Sequence, residues 1–201
     1  SLEGIKVKPF YHNDEFEKKY TSNSTSNNFQ ILQNIFVHDV LKSNKRALEV
    51  LNRGAESIRF TIENETISVE ELMQNLPLEK VSYFFYLPFL SIDFVKKIND
   101  FATKNKANFI IQLDPIGQLC KDGNWFENLD KDFEKLNSIA SSSNISFLNI
   151  SSGIFQNAGA NMIQQLAYTL AQVNEYFNRI TTINQPITIE VSIGTNYFFE
   201  I

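Results

Sequence analysis

Hydrophobic positions in this chain switch between a helical and an alternating period several times. From Phe29 on, Ile31, Ile35, Val40, Leu41, Leu48 and Leu51 recur at mostly helical spacing, and Gly54 stands where a helix C-terminus takes a left-handed residue. Ser57 to Ile62 then alternates strictly, with Ile58, Phe60 and Ile62 on one face and Ser57, Arg59 and Thr61 on the other, which predicts a strand. A short helix is expected from Ser68 to Leu76, because Ser68 followed by Glu71 has the spacing of a capping box. The unit then repeats: strand 81–87 and helix 92–103, strand 108–113 and helix 129–141, strand 147–150 and a long helix from Asn157 to about Arg179, and strand 187–193. The long helix puts Ile163, Leu166, Leu170, Val173 and Phe177 on one face.

Five strands alternating with helices predict a parallel α/β sheet with right-handed crossovers, either doubly wound or a (β/α) barrel. A dinucleotide-binding doubly wound fold carries a Gly-rich turn after its first strand, and this chain has Thr61-Ile62-Glu63-Asn64-Glu65 there, which favours the barrel. A full barrel takes about 250 residues. The expectation is therefore a partial (β/α)8 TIM-type barrel of about five βα units over residues 29–201, truncated before closure and preceded by an extended N-terminal arm, residues 1–28. The arm ends in TSNSTSNN and carries one sticky patch from Val7 to Tyr11; it reads equally as a docking segment and as a disordered chain end. Open sheet edges need a cover, which the arm or self-association of this fragment would supply.

Composition narrows the function classes. The 201 residues are 43% hydrophobic and 20% charged, with net charge -5 and no basic cluster denser than Lys42 to Arg46, so a nucleic-acid partner is not expected. No apolar run approaches the roughly 20 residues that cross a bilayer, and the first residues do not have the form of a signal peptide, which makes the expected location cytoplasmic, with no membrane partner. Cys120 is the single cysteine, and His12 and His38 have no second ligand at metal-site spacing, so no protein-built metal site is expected.

Candidate chemistry sits on the strand faces opposite the helices. Barrel interiors are normally packed with Val, Ile and Leu, whereas these faces offer Ser57, Arg59, Thr61, Gln112, Asn149, Thr188, Glu190 and Ser192, a hydrophilic lumen. Arg59 and Glu190 are long enough to meet across the axis and, with Gln112, to form a hydrogen-bonded plug; the competing reading leaves Arg59 at a strand end in water. Asp114, Asn149 and Ser151 lie at carboxyl ends of strands, where barrel enzymes keep catalytic groups and where the same residue types commonly cap the next turn. With His38 in the first helix and His12 in the arm, no Ser-His-Asp or Cys-His arrangement follows. Asn157 reads as the N-cap of the long helix, and the small residues after it would let a ligand or a neighbouring backbone approach. Trp125 and the run Tyr83 to Tyr86 are read first as packing residues.

The stretch Ser151 to Gln172, SSGIFQNAGANMIQQLAYTLAQ, carries a resemblance. Catalytic chains of the methylmalonyl-CoA mutase family have a Ser-Gly-Tyr-His turn, two residues, then Glu-Ala-Gly-Ala and a helix of the type Glu-Leu-Ala-x-x-Leu-Ala. Here Asn157-Ala158-Gly159-Ala160 and Gln165-Leu166-Ala167-Tyr168-Thr169-Leu170-Ala171 stand in register with that pattern, while Gly153 and Ile154 occupy the Tyr-His positions. The closing Phe198-Phe199-Glu200-Ile201 resembles the family's strand continuation, and Ala47 to Ala55 fits the segment before the first barrel strand. The arm lacks the family's Pro-Thr-Met-Tyr and Pro-Trp elements, and the cobalamin-binding Asp-x-His-x-x-Gly motif does not occur within these residues. The resemblance implies a non-catalytic small subunit: no catalytic residues, no cofactor bound by this segment, adenosylcobalamin in the complex, and a large catalytic mutase subunit as partner in a heterodimer. The alternative is a divergent acyl-CoA mutase or other barrel enzyme with catalytic residues outside the family pattern.

Overall fold

The structure, a computed structural model, describes residues 6, 8–15 and 29–194. After a single 3-10 turn at Asn13–Glu15, strands and helices follow in the order β1 (Leu32–Val37), α1 (Val40–Asn52), β2 (Ser57–Ile62), α2 (Val69–Leu72), β3 (Ser82–Tyr86), α3 (Ile92–Asn105), β4 (Asn108–Gln112), α4 (Pro115–Asp122), α5 (Leu129–Ser142), β5 (Asn149–Ser151), α6 (Gly153–Asn157), α7 (Met162–Arg179) and β6 (Thr188–Glu190). Strands β1 to β4 lie in sequence order and pair in parallel, and β5 pairs in parallel with β6. The two ladders are joined by a bridge between Leu113 and Leu148 and by bonds from Ile111 N to Ser146 O and from Leu113 N to Phe147 O. A parallel sheet that runs in sequence order without reversal is the order of a barrel, not of a doubly wound sheet, which reverses at a switch point. The fold is thus a partial (β/α)8 barrel.

The core lies between the sheet and its helices. The pairing register sets Ile35 beside Phe60, Phe60 beside Phe85 and Phe85 beside Ile111, all on the helix-facing side and all buried. Ala47 and Val50 of α1, Phe94 and Ile98 of α3, and Leu136 and Ile139 of α5 close over them. The rings interlock, with Phe85 and Phe109 centroids 4.9 Å apart and Phe60 and Phe85 6.0 Å apart. Each fully buried ring of this kind contributes about 2–3 kcal/mol relative to exposure.

Several sequence expectations are corrected. The segment read as one helix up to Gly54 is a strand and a helix: β1 carries Ile35 and Val37 into the core, and α1 starts only after Asp39, whose side chain accepts from Lys42 N at 3.0 Å. Apolar residues four apart satisfy a helix period and, over so short a run, an alternating one too. The strand at Ser57 is therefore the second, and His38 lies in the β1–α1 turn, not in a helix. Helix α4 was not expected, although Asp114 as N-cap, Pro115 in the first turn and Gly123 at φ 75 mark both its ends.

The long helix begins later than expected. Asn157 is the exposed last residue of α6 and caps nothing; Gly159, at φ 92, turns the chain, and Asn161 caps α7 in a capping box with Gln164. Of the expected apolar face only Val173 packs against the core. Gln165, Thr169, Gln172 and Tyr176 are buried, while Ile163, Leu166, Leu170 and Phe177 are exposed. Of the arm, only residues 6 and 8–15 are described, where Lys8 pairs with Glu15 at 2.7 Å; the tract TSNSTSNN lies outside the described residues.

Candidate functional site

Strand alternation directs a second set of side chains into the lumen. By the pairing register, Asn34, Arg59, Phe84 and Ile110 form one layer, and Phe36, Thr61, Tyr86 and Gln112 the next. Asn149 and Ser151 of β5 pair with Thr188 and Glu190 of β6. The lumen is therefore mixed: Phe84, Ile110 and Tyr86 enter it beside the polar residues, which corrects the expectation of a uniformly hydrophilic interior.

Arg59 crosses this space. Its Nη2 donates to Glu190 Oε2 at 2.6 Å, linking β2 to β6 over a separation of 131 residues. Both side chains keep part of their surface in water, so the pair is worth on the order of 1 kcal/mol. Arg59 Nε has no partner. Gln112, buried to 2% exposure, does not join the pair, and both ends of its amide lack a hydrogen bond, as does Asn149 Oδ1.

Asp114 is the most heavily bonded group of the site. It follows β4, caps α4 through Gly117 N at 2.9 Å, and with the same Oδ1 accepts from Gln172 Nε2 at 2.5 Å and from Tyr176 Oη at 2.6 Å. Tyr176 Oη in turn accepts from Ile116 N at 3.0 Å. Burial raises the Asp114 pKa to about 6, against the lowering effect of those three donors, and burial together with the Asp114 charge pushes the Tyr176 phenol well up. The buried polar stripe of α7 exists to meet these groups. Gln165 extends it by accepting from Ser152 Oγ at 3.0 Å, and Ser152 Oγ itself accepts from Ser192 N at 2.8 Å.

Between these side chains opens a pocket of about 290 Å³ at the carboxyl ends of the strands, bounded by Arg59, Asp114, Asn149, Ser151, Glu190 and Ser192. Gly153, Ile154 and Asn157 line it as well. A Cβ placed on Gly153 would stand 2.8 Å from Ser192 Oγ, so Ser192 takes the space into which a side chain at this position would grow. Neither histidine lines the pocket: His12 pairs with Asp14 in the arm, and His38 lies 3.3 Å from Glu63 in an exposed turn. Among the described residues no group of three or more His, Cys, Asp or Glu side chains is placed to hold a metal ion, and no helix is long and apolar enough to cross a membrane.

The sequence-derived candidates thus converge, apart from Gln112, on one pocket. Missing from the sequence reading were Gln165, Gln172 and Tyr176, although Gln165, Thr169, Gln172 and Tyr176 recur at helical spacing; the apolar stripe beside them drew the attention.

A half-closed β/α barrel with polar groups gathered at the carboxyl ends of its strands defines the class. Residues 64–201 match the sequence profile of the family described as methylmalonyl-CoA mutase, and the chain belongs to that family. It is 27% identical over 235 residues to the methylmalonyl-CoA mutase small subunit of Porphyromonas gingivalis (strain ATCC BAA-308 / W83), an alignment covering 99% of this chain and 37% of that protein. The chain thus spans well under half the length of that relative. Among solved structures, a 2-keto-3-deoxy-6-phospho-gluconate aldolase from Zymomonas mobilis ATCC 29191 aligns with TM-score 0.33 and 13% identity over 82% of this chain and 72% of its own.

Proposed function

We propose that this chain is the barrel part of a non-catalytic small subunit of an adenosylcobalamin-dependent methylmalonyl-CoA mutase, with a cytoplasmic location. Its work is structural: it pairs with a large catalytic subunit that carries the interconversion of methylmalonyl-CoA and succinyl-CoA. The observation that carries this reading is the Arg59–Glu190 pair, which spans the lumen between β2 and β6; the resemblance implies that catalytic chains of the family keep this space open for the pantetheine arm of coenzyme A. Gly153 and Ile154 at the Tyr-His positions, with Ser192 in the space beside Gly153, support it.

Adenosylcobalamin does not fit the described residues. A pocket of about 290 Å³ is at the lower end of sites for drug-sized molecules, far below the bulk of a corrin with its nucleotide, and no imidazole faces it. The cofactor belongs to the complex in this reading, and the radical chemistry is the cofactor's.

Asp114 favours a second reading. A carboxyl group held near pH 6 beside a pocket at a strand end is a place where barrel enzymes put an acid or base, which would make the chain a divergent mutase. Its bonds to Gly117, Gln172 and Tyr176 give it a structural task already, so the first reading is preferred. Sedimentation of this chain mixed with a large catalytic mutase subunit tests the choice. A one-to-one complex whose turnover is unchanged by Asp114→Ala is expected; no complex, or turnover abolished by Asp114→Ala in an intact complex, contradicts the reading.

A further inference from the structure

The pocket at the carboxyl ends of the strands is walled by described residues alone. Strands β2 to β6 follow one another in space, and the Arg59–Glu190 bond joins β6 back to β2, so the wall closes on itself. Four charged side chains line it: Arg59, Glu190, Asp114 and Lys121. The first two pair with each other, which leaves one carboxylate and one ammonium group. The three donors to Asp114 all reach Oδ1, and among the described residues Oδ2 accepts no hydrogen bond and Lys121 makes no ion pair. Asn149, only 5% exposed, lines the same space, and its Oδ1 has no hydrogen-bond partner. Leu113 and Leu148 bridge their strands, so Asp114 and Asn149, the next residue on each, stand side by side at the ~5 Å spacing of paired strands. Lys121 is in the last turn of α4, seven residues beyond the Asp114 cap and so on the same face, about 10 Å along the axis. Its side chain leans back toward the start of the helix.

We propose that this pocket binds a small zwitterion, an α-amino acid with a short uncharged side chain, its ammonium group between Asp114 Oδ2 and the Asn149 amide and its carboxylate on Lys121. A simple amine would leave Lys121 without a partner, and a simple acid would leave Asp114 without one. A molecule carrying both charges satisfies the two groups with charge-assisted hydrogen bonds and leaves the net charge of the pocket unchanged. The Asn149 amide, which can turn either end to a ligand, gains the bond that burial otherwise denies it. Leu87, Pro88 and Ile154 supply an apolar wall for the side chain. A volume of about 290 Å³ suits a molecule of this size. The site goes beyond the subunit reading and holds whether the chain is a scaffold or a divergent enzyme, since it uses neither a partner subunit nor turnover.

Isothermal titration calorimetry of this chain with L-alanine, L-serine, L-threonine and L-valine tests it, with isobutylamine and 3-methylbutanoate as the valine skeleton lacking one charge or the other. At least one of the four amino acids is expected to bind with a dissociation constant below about 1 mM, and the two singly charged analogues at least about tenfold more weakly than valine. Lys121→Gln, a change at an exposed position, should weaken binding at least about tenfold, and so should Asn149→Ala with an unchanged far-UV circular dichroism spectrum. Lys104→Gln, equally exposed on α3, should leave the affinity as it is. No binding of any of the four below about 10 mM, an analogue that binds as tightly as valine, or an affinity untouched by Lys121→Gln would each overturn the proposal.

Discussion

Asp114 is the residue at which folding and a titratable group are most tightly linked. Its pKa of about 6 lies above the ordinary 3.8, so the folded state binds this proton more tightly than the unfolded one. The contribution is fully present below pH 3.8 and is lost as pH rises through 6, at a cost on the order of 3 kcal/mol by neutrality. Urea titrations at a series of pH values should show this chain gaining stability from pH 7 to pH 5, and Asp114→Asn losing that slope; a wild-type slope of opposite sign would refute the linkage. Tyr83 gives a second case. Its ring is fully buried, with Phe60 stacked at 6.3 Å, but its hydroxyl finds no partner. Removing a buried unsatisfied group recovers its desolvation cost, so Tyr83→Phe should raise stability by about 1 kcal/mol in the same urea assay. Tyr176→Phe, which strips a bond from Asp114 and another from Ile116 N, should lower it by about 1–3 kcal/mol. Asp114 as a strand-end residue was legible in the sequence; its partners were not, because Gln172 and Tyr176 lie 58 and 62 residues away.

Helix α7 holds the lesson at the scale of elements. An amphipathic helix normally turns its apolar face to the core, and that rule misplaces this one, because the residues it must meet are a carboxylate and a serine hydroxyl. Its fixation by hydrogen bonds makes the geometry around Asp114 unforgiving. A Cβ on Gly117 would fall 2.1 Å from Asp114 Oδ2, so Gly117→Ala must displace the carboxylate from the α4 cap and from α7 together. A loss of about 2 kcal/mol or more is expected, with faster amide hydrogen exchange in both helices; a change confined to α4 would show that the two are not coupled through Asp114. The strand at Ser57 was legible because it alternates strictly over six residues, and those at Ser82 and Asn108 because they are short runs rich in aromatic and β-branched residues between helical segments. Strand β1 was not, since Ile31 and Ile35 fit a helical repeat, and the decisive sign, Asp39 before Val40, is a cap that matters only once a helix start is sought there.

At the scale of the whole molecule, alternating strands and helices without a phosphate-binding turn led to a barrel, and the strand order agrees. The lumen was only partly legible. Alternation named Arg59 and Glu190 as inward residues, but the 2.6 Å contact between them depends on sheet curvature that no local pattern encodes, as does the isolation of Gln112. A double-mutant cycle on Arg59→Met and Glu190→Gln should return a coupling of about 0.5–1 kcal/mol, as for a partly solvated pair, and a coupling near zero would mean the lumen is not bridged in solution. The central proposal is that this chain does not bind an acyl-CoA substrate along its lumen, where the Arg59–Glu190 pair stands. Equilibrium binding of methylmalonyl-CoA to this chain, measured by isothermal titration calorimetry, tests it most directly: the account predicts no saturable binding below about 1 mM, and a dissociation constant of about 1–100 µM would contradict it.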